Sequence, residues 1–208
     1  MQLTEQKPAF KLPLPIGEFK AYLFDCDGTI VDSMPLHYEA WSKALGEWNC
    51  PFPEERFYEW GGMPIKEIIE RLSSEHGIEM PVDELAVRKE ALYYDSLPNL
   101  KPVPEVVEHI HAAHGHKAFA VVSGGERESV VRSLQTLGLL DRFDTLVCAG
   151  EYTRSKPDPE PYLIAAQKLG VSPSECLVFE DTQMGIDAAE AAGMAWVRVP
   201  APWERQKK

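Results

Sequence analysis

The chain has 208 residues, is 44% hydrophobic and 26% charged, and carries a formal net charge of −12. That length suffices for one sizeable domain or a core with a small insert, and the acidic balance excludes nucleic acid and anionic membrane as default partners while leaving room for a small anionic substrate in a locally positive site. No apolar run approaches membrane-spanning length, the N-terminus lacks a signal-peptide pattern, and Cys26, Cys50, Cys148 and Cys176 form no Cys-x-x-Cys pair, so four reduced thiols in a cytoplasmic protein are expected.

Residues 1–18 read as a polar, proline-containing leader. The apolar run 21–24 reads as a buried strand, and it empties into Asp25-Cys26-Asp27-Gly28-Thr29. Two carboxylates at a strand's exit are costly unless a cation or substrate uses them. Gly28 suits a sharp turn where backbone must come close to a ligand. From 35 to 98 the periodicity is helical, as in Ile65, Ile68, Ile69 and Leu72, and no strand is evident. Trp41, Trp48, Trp60, Phe52, Phe57 and Tyr58 in this interval read as its core. Three prolines at 98, 102 and 104 mark its far edge as a defined crossing.

A helix is expected over 105–114, with His109, His111, His114 and His116 at its wet C-terminal end. The strand 118–122 then runs into Ser123-Gly124-Gly125 opening a helix over 127–137, where a hydroxyl and free amides would make an anion site. Strand 145–148 precedes Ser155-Lys156-Pro157-Asp158-Pro159. Asp158 reads as an N-cap with Pro159 at the first position of helix 160–169, which would fix Lys156 just outside it. Strand 177–179 leads into Glu180-Asp181 and helix 185–192. Strand 196–199 follows, with a charged, proline-bearing tail that would blunt a sheet edge or leave it for a partner.

Alternating strands and helices predict an α/β fold with a doubly wound, Rossmann-like parallel sheet. The expected division is a catalytic core of residues 1–34 plus 99–208 and a small inserted helical cap of residues 35–98. In such sheets ligands bind beyond the strands' carboxyl ends, where strand order reverses. Four carboxylates, one ammonium and one hydroxyl at those ends call for a hard divalent cation, most simply Mg²⁺. Lys156, the Ser123 hydroxyl and local amides would then balance phosphoryl oxygens.

The four clusters in this order resemble the haloacid dehalogenase superfamily, in the branch with a helical cap after the first strand. The family pattern DxDG[TV], S/T, K and [ED]D matches Asp25–Thr29, Ser123, Lys156 and Glu180-Asp181. The resemblance implies that Asp25 is the nucleophile and Asp27 the acid and base. It implies Mg²⁺ on the Asp25 carboxylate, the Asp27 carbonyl and Asp181, with Glu180 close by or acting through water. Asp25 must then be anionic while Asp27 holds a proton, and a metal beside only one separates them that way. Ser123 and Lys156 would hold the phosphate, with Thr29 and Gly124 among the substrate-binding groups. His37 and Lys89 resemble cap residues of sugar phosphatases and β-phosphoglucomutases, placed to reach the substrate or the proton on Asp27.

Two departures weigh against a mutase. Thr29 stands where mutases usually have Val, and Ile65 stands where they carry a phosphate-gripping arginine, with Lys66 as a partial substitute. The expected activity is an Mg²⁺-dependent phosphatase acting on a small phosphorylated metabolite, with a β-phosphoglucomutase-type mutase as the alternative. A phosphoacceptor signalling module would lack both the helical insert and the second aspartate. A monomer or weak dimer is expected.

Overall fold

Four apolar residues, Ala21–Phe24, form β1 at the centre of a five-stranded sheet. The computed structural model describes residues 12–205. β2 (Ala118–Val122), β3 (Thr145–Val147), β4 (Cys176–Glu180) and β5 (Ala195–Arg198) complete the order β3-β2-β1-β4-β5, every pairing parallel. All four β1 residues are buried because helices cover both faces, so the strand is a continuous apolar run without alternation. The chain steps from β1 to β2 and β3, then crosses to β4 on the other flank. Strand order therefore reverses at β1, and its carboxyl end opens into the crevice where such sheets bind ligands.

Successive side chains part to the two faces. Tyr22, Phe24, Phe119 and Phe179 pack with α5 (Pro104–Ala113) and α6 (Arg127–Thr136). Phe24 stacks on Phe179 at 4.6 Å and meets Phe119 edge-on at 5.5 Å. Each such pair adds about 0.5–1.5 kcal/mol beyond its burial. Ala21, Leu23, Ala120 and Val178 face the opposite way, against α7 (Glu160–Leu169) and α8 (Gln183–Ala191), which bring Ala165, Ala166, Ala188 and Ala189.

The helical cap stands between β1 and α5. It consists of α1 (Met34–Gly46), α2 (Glu54–Glu59), α3 (Ile65–His76) and α4 (Val82–Ser96). These helices share an apolar cluster of their own. α3 buries Ile68, Ile69 and Leu72 as one stripe and stops at Gly77, whose φ of 64° is the left-handed conformation that ends helices. Of the aromatic group expected in this core, Trp41, Phe52 and Phe57 are buried, whereas Trp48 is 37% exposed. The two linkers to the core run side by side and antiparallel. Asp32 N–H donates to the Lys101 carbonyl at 2.8 Å and Val103 N–H to the Ile30 carbonyl at 2.9 Å.

Several local expectations need correction. Residues 1–11 of the expected leader lie outside the described residues, but Leu12 and Phe19 belong to the core. His109 Nε2 donates to the Leu12 carbonyl at 2.8 Å, so that histidine braces the sheet rather than a wet helix end. Helix α6 begins at Arg127, four residues beyond Ser123, which therefore sits in a turn and not at a helix N-terminus. Asp158 accepts the Glu160 N–H at 2.9 Å from one residue further out than an N-cap, because α7 starts at Glu160. Helix α8 begins two residues early, since the Thr182 hydroxyl caps it by accepting the Gly185 N–H at 3.1 Å. The described part of the tail forms α9 (Pro202–Arg205), and Arg205 Nη2 reaches the Gly28 carbonyl at 3.2 Å. All four cysteines are free and buried. No helix among the described residues is long and apolar enough to cross a membrane.

Candidate active site

The carboxyl ends of β1, β2 and β4 and the loop after β3 converge above the sheet. Asp25 leaves β1 with its N–H still on the Phe179 carbonyl at 3.0 Å, which holds its side chain over the strand ends. Lys156 arrives from the loop after β3. Its ammonium donates to Asp25 Oδ1 at 2.7 Å, Glu180 Oε1 at 2.6 Å and the Val122 carbonyl at 3.1 Å, which uses all three of its hydrogens. Burial opposes that charge, but Asp25 and Glu180 outweigh it and hold the lysine well above its ordinary range.

Glu180 is wholly buried and saturated. Oε1 accepts from Lys156 and from the Tyr162 hydroxyl at 3.2 Å, and Oε2 from the Thr182 N–H at 2.8 Å and hydroxyl at 2.9 Å. A Cβ on Gly185 would lie 1.8 Å from Oε1, so only glycine leaves room for this carboxylate. Asp181 is less enclosed and accepts the Thr29 hydroxyl on Oδ1 at 3.0 Å. Gly28, at φ 91°, makes that approach possible, since a Cβ there would fall 2.2 Å from Asp181 Oδ2. Thr29 was expected at the substrate. Its side chain is instead fully buried and committed to Asp181, so it orients an acid and does not face the cavity.

Asp25, Glu180 and Asp181 offer oxygens all within 4.8 Å of one another, the one such group of potential metal ligands among the described residues. One ammonium balances three carboxylates. Burial pushes Asp25 well above its usual range, Lys156 opposes this, and Glu180 and Asp181 reinforce it. Burial and then Glu180 push Asp181 up to about 7. A hard divalent cation would relieve both, and an all-oxygen donor set suits Mg²⁺. Asp25 and Asp181 have oxygen capacity to spare for it, whereas every position on Glu180 is taken.

Asp27 lives in different surroundings. Its Oδ1 accepts the Ser33 hydroxyl at 2.6 Å and His37 Nε2 at 3.0 Å. Lys89 Nζ lies 2.8 Å from His37 Nδ1. A lysine ammonium only donates, so Nδ1 accepts, Nε2 carries the hydrogen, and His37 donates to Asp27. The imidazole also stacks on Tyr93 at 3.8 Å, and Lys89 donates to Glu90 Oε1 at 2.8 Å. Asp27 Oδ2 remains on the side of the Ser123 turn, where a Cβ on Gly125 would be 3.6 Å away. Burial raises Asp27, but His37 and Ser33 more than offset it and leave the carboxyl below its ordinary range. The protein alone thus orders the two aspartates opposite to the expectation, with Asp25 high and Asp27 low. The reason is that the cap directs donors at Asp27, while Asp25 sits among acids.

Ser123 is buried, with its N–H on the Val147 carbonyl at 2.9 Å and its hydroxyl accepting the Gly125 N–H at 3.0 Å. Gly124 touches the cap. A Cβ on it would lie 2.0 Å from the Gly62 carbonyl oxygen, so the 61–62 turn rests directly on this loop. Between the two lies a cavity of about 70 Å³, bordered by Asp25, Asp27 and Ser123 below and by Trp41, Trp60, Ile65, Lys89 and Glu90 above. Lys66, the expected stand-in for a phosphate-gripping arginine, points elsewhere and pairs with Asp83 at 2.7 Å on the surface. His37 and Lys89 are buried at the cavity's border, His37 donating to Asp27 Oδ1 and Lys89 to His37 and Glu90, so Lys89 meets Asp27 only through His37.

Sequence reasoning missed Ser33, Tyr93, Glu90, Tyr162 and Gly185. Ser33 could have been found as the hydroxyl at the start of α1, beside the motif loop. The others carry no local signal.

Comparisons with known proteins bear on the family and the fold. A family model described as haloacid dehalogenase-like hydrolase matches residues 19–193. The chain is 35% identical over 182 residues to the fructose-1-phosphate phosphatase YqaB of Escherichia coli (strain K12), covering 87% of this chain and 96% of that protein. It is 35% identical over 181 residues to the validoxylamine A 7′-phosphate phosphatase of Streptomyces hygroscopicus subsp. limoneus, covering 85% and 83%. Among solved structures, the β-phosphoglucomutase of Clostridium difficile superposes with a TM-score of 0.80 at 26% identity, covering 91% of this chain and 88% of that one.

Proposed function

The chain belongs to the haloacid dehalogenase-like hydrolases and is a phosphoric monoester hydrolase; from that premise we propose that it hydrolyses small sugar monophosphates, with Mg²⁺, through a phosphoryl group carried on Asp25. The observation that carries this reading is the unequal treatment of the two aspartates. Asp25 is aimed by Lys156 among metal-suited acids, while Asp27 has one oxygen anchored by Ser33 and His37 and the other free above the Ser123 turn.

In this mechanism an Asp25 carboxylate oxygen bonds to phosphorus as the ester P–O bond breaks. Asp27 Oδ2 gives its proton to the departing alkoxide. Asp27 then takes a proton from water, which attacks the aspartyl-phosphate, frees inorganic phosphate and restores Asp25. Asp27 acquires its first proton as the anionic ester approaches, since a like charge nearby favours the neutral acid. Lys156 and the Ser123 hydroxyl balance the phosphoryl oxygens. Mg²⁺, held by Asp25, the Asp27 carbonyl and Asp181, would shield the carboxylate from the phosphoryl charge. Glu180 acts by holding Lys156. The cap, which we assign to residues 35–98, encloses the leaving group.

The fold likeness to a β-phosphoglucomutase raises the mutase alternative. A mutase must grip a second phosphate, and the cap turn offers Ile65 at the cavity and Lys66 outside it. The cap side chains His37 and Lys89 that border the cavity are already engaged. Both features favour the hydrolase. The test is phosphate release from a panel of sugar monophosphates, fructose 1-phosphate included, in the presence of Mg²⁺. Release should vanish in Asp25→Asn and under EDTA. A folded protein silent across the panel would refute the reading. So would conversion of β-glucose 1-phosphate, with a trace of the 1,6-bisphosphate, to glucose 6-phosphate without free phosphate.

A further inference from the structure

Glycine at position 28 gives the first motif loop a pivot between two peptide planes. Its φ of 91° lies in the region open to glycine, and with no Cβ the planes on either side of it turn easily unless something holds them. The plane before it is held within the loop, because the Gly28 N–H donates to the Val31 carbonyl at 2.8 Å. A trans peptide carries its carbonyl opposite its N–H, so that bond also points the Asp27 carbonyl away from Val31. The plane after it is held from outside. Among the described residues the donor to the Gly28 carbonyl is Arg205, whose Nη2 lies 3.2 Å away. The same plane carries the N–H of Thr29, the residue whose hydroxyl donates to Asp181 Oδ1 at 3.0 Å.

The side chain of Arg205 is only 10% exposed, although it stands on the short helix α9 beyond the sheet. Glu204 staples that helix to the end of β5, accepting Arg198 Nη2 at 3.1 and 2.9 Å and the Ala201 N–H at 2.8 Å. Asp32, in the linker to the cap, faces the guanidinium at 3.4 Å and supplies a counter-charge outside the cluster of Asp25, Glu180 and Asp181. We propose that Arg205 is a positioning residue: by fixing the Gly28–Thr29 peptide it aims the Thr29 hydroxyl at Asp181, and so sets how tightly the acidic cluster holds Mg²⁺. This role rests on the Mg²⁺ reading of the site and deepens it. Groups beyond a metal's own ligands matter because they fix where those ligands point, and a loop that turns on glycine has no side chain at the pivot to do so.

The experiment titrates Mg²⁺ into the metal-free protein by isothermal titration calorimetry. It compares the wild type with Arg205→Ala, Thr29→Val and the double variant, and the Tm of each chelated protein is measured alongside. Arg205→Ala should raise the Kd for Mg²⁺ about fivefold or more, and Thr29→Val about tenfold. In the Thr29→Val background, Arg205→Ala should add less than about twofold, because the two residues act in series on one carboxylate. A residue that merely staples α9 would lower the Tm and leave the Kd unmoved, and that result overturns the proposal. Losses that multiply in the double variant overturn it as well. Failure of Mg²⁺ to bind the wild-type protein would instead overturn the metal reading beneath it, which is a distinct outcome.

Discussion

Asp25 and Asp27 are two residues apart yet occupy opposite electrostatic settings, and the protein's own groups create the difference. Asp27 has its Oδ1 fixed by a serine and a histidine, so its proton chemistry is confined to Oδ2. Asp27→Asn keeps the shape and removes the proton carrier. It should lower kcat by about 10²–10⁴-fold, the usual worth of a general acid or base, with KM changed only a few-fold, as steady-state kinetics would show. The acidic cluster makes a second prediction. Asp181 is raised from 3.8 to about 7 in the folded protein, so between those values the native state binds more protons than the unfolded one. Stability of the chelated protein therefore falls as pH rises through that window, and Asp25 pushes the same way. Asp181→Asn should flatten the decline in Tm between about pH 4 and 7. Mg²⁺ at about a hundredfold its Kd should raise the wild-type Tm at neutral pH by about 5–10 °C, from a linkage energy of about 2.7 kcal/mol, and should barely move the variant. Roles at this scale were only partly legible in the sequence. The motif exposed Asp25, Lys156 and Asp181, but not that Thr29 would turn inward to Asp181 or that Glu180 would be saturated. Those directions depend on Gly28 and Gly185 yielding space to side chains more than 150 residues away in one case and five in the other.

At the scale of elements, the site is where two independently packed layers meet. The ends of β1, β2 and β4 each supply one polar cluster because the residues before them are apolar on both faces, and the loop after β3 supplies Lys156. The cap brings His37 on α1 and Lys89 on α4 to Asp27 because these two helices pack together and bury Tyr93 between the cap and Ser133 of α6, 2.8 Å from its hydroxyl. The seat of the cap is narrower still, a glycine turn on a glycine loop. Gly124→Ala would place a methyl 2.0 Å from the Gly62 carbonyl, closer than real contacts allow. The variant should fold with an unchanged circular dichroism spectrum and lose about 10²-fold in kcat/KM, because a displacement on the order of 1 Å at a reacting centre costs that much. An unaffected kcat/KM would show that the cap closes elsewhere. The helical insert was legible from its periodicity. The contact between 61–62 and 124 was not, since glycines show what approaches them only once both loops are placed.

For the whole molecule, the parallel order of the sheet follows from alternating apolar runs and amphipathic stretches, and the reversal at β1 puts the first motif in the binding crevice. Element boundaries moved by one or two residues where a side chain intervened, as Thr182 does at α8. What the sequence could not reveal is how cap and core meet: they leave a cavity of about 70 Å³, partly open to solvent, above Asp25 and Asp27. The proposed hydrolysis depends on phosphoryl transfer to Asp25 at the floor of that cavity. The most direct test is to mix the protein with Mg²⁺ and fructose 1-phosphate, quench in acid within one turnover, and locate the phosphoryl group by mass spectrometry of the digested chain. A hydroxylamine-labile phosphoryl group on the peptide containing Asp25, absent from Asp25→Asn, is the predicted result. Phosphate released at full rate with no labelled peptide at any quench time, or by Asp25→Asn itself, would contradict it.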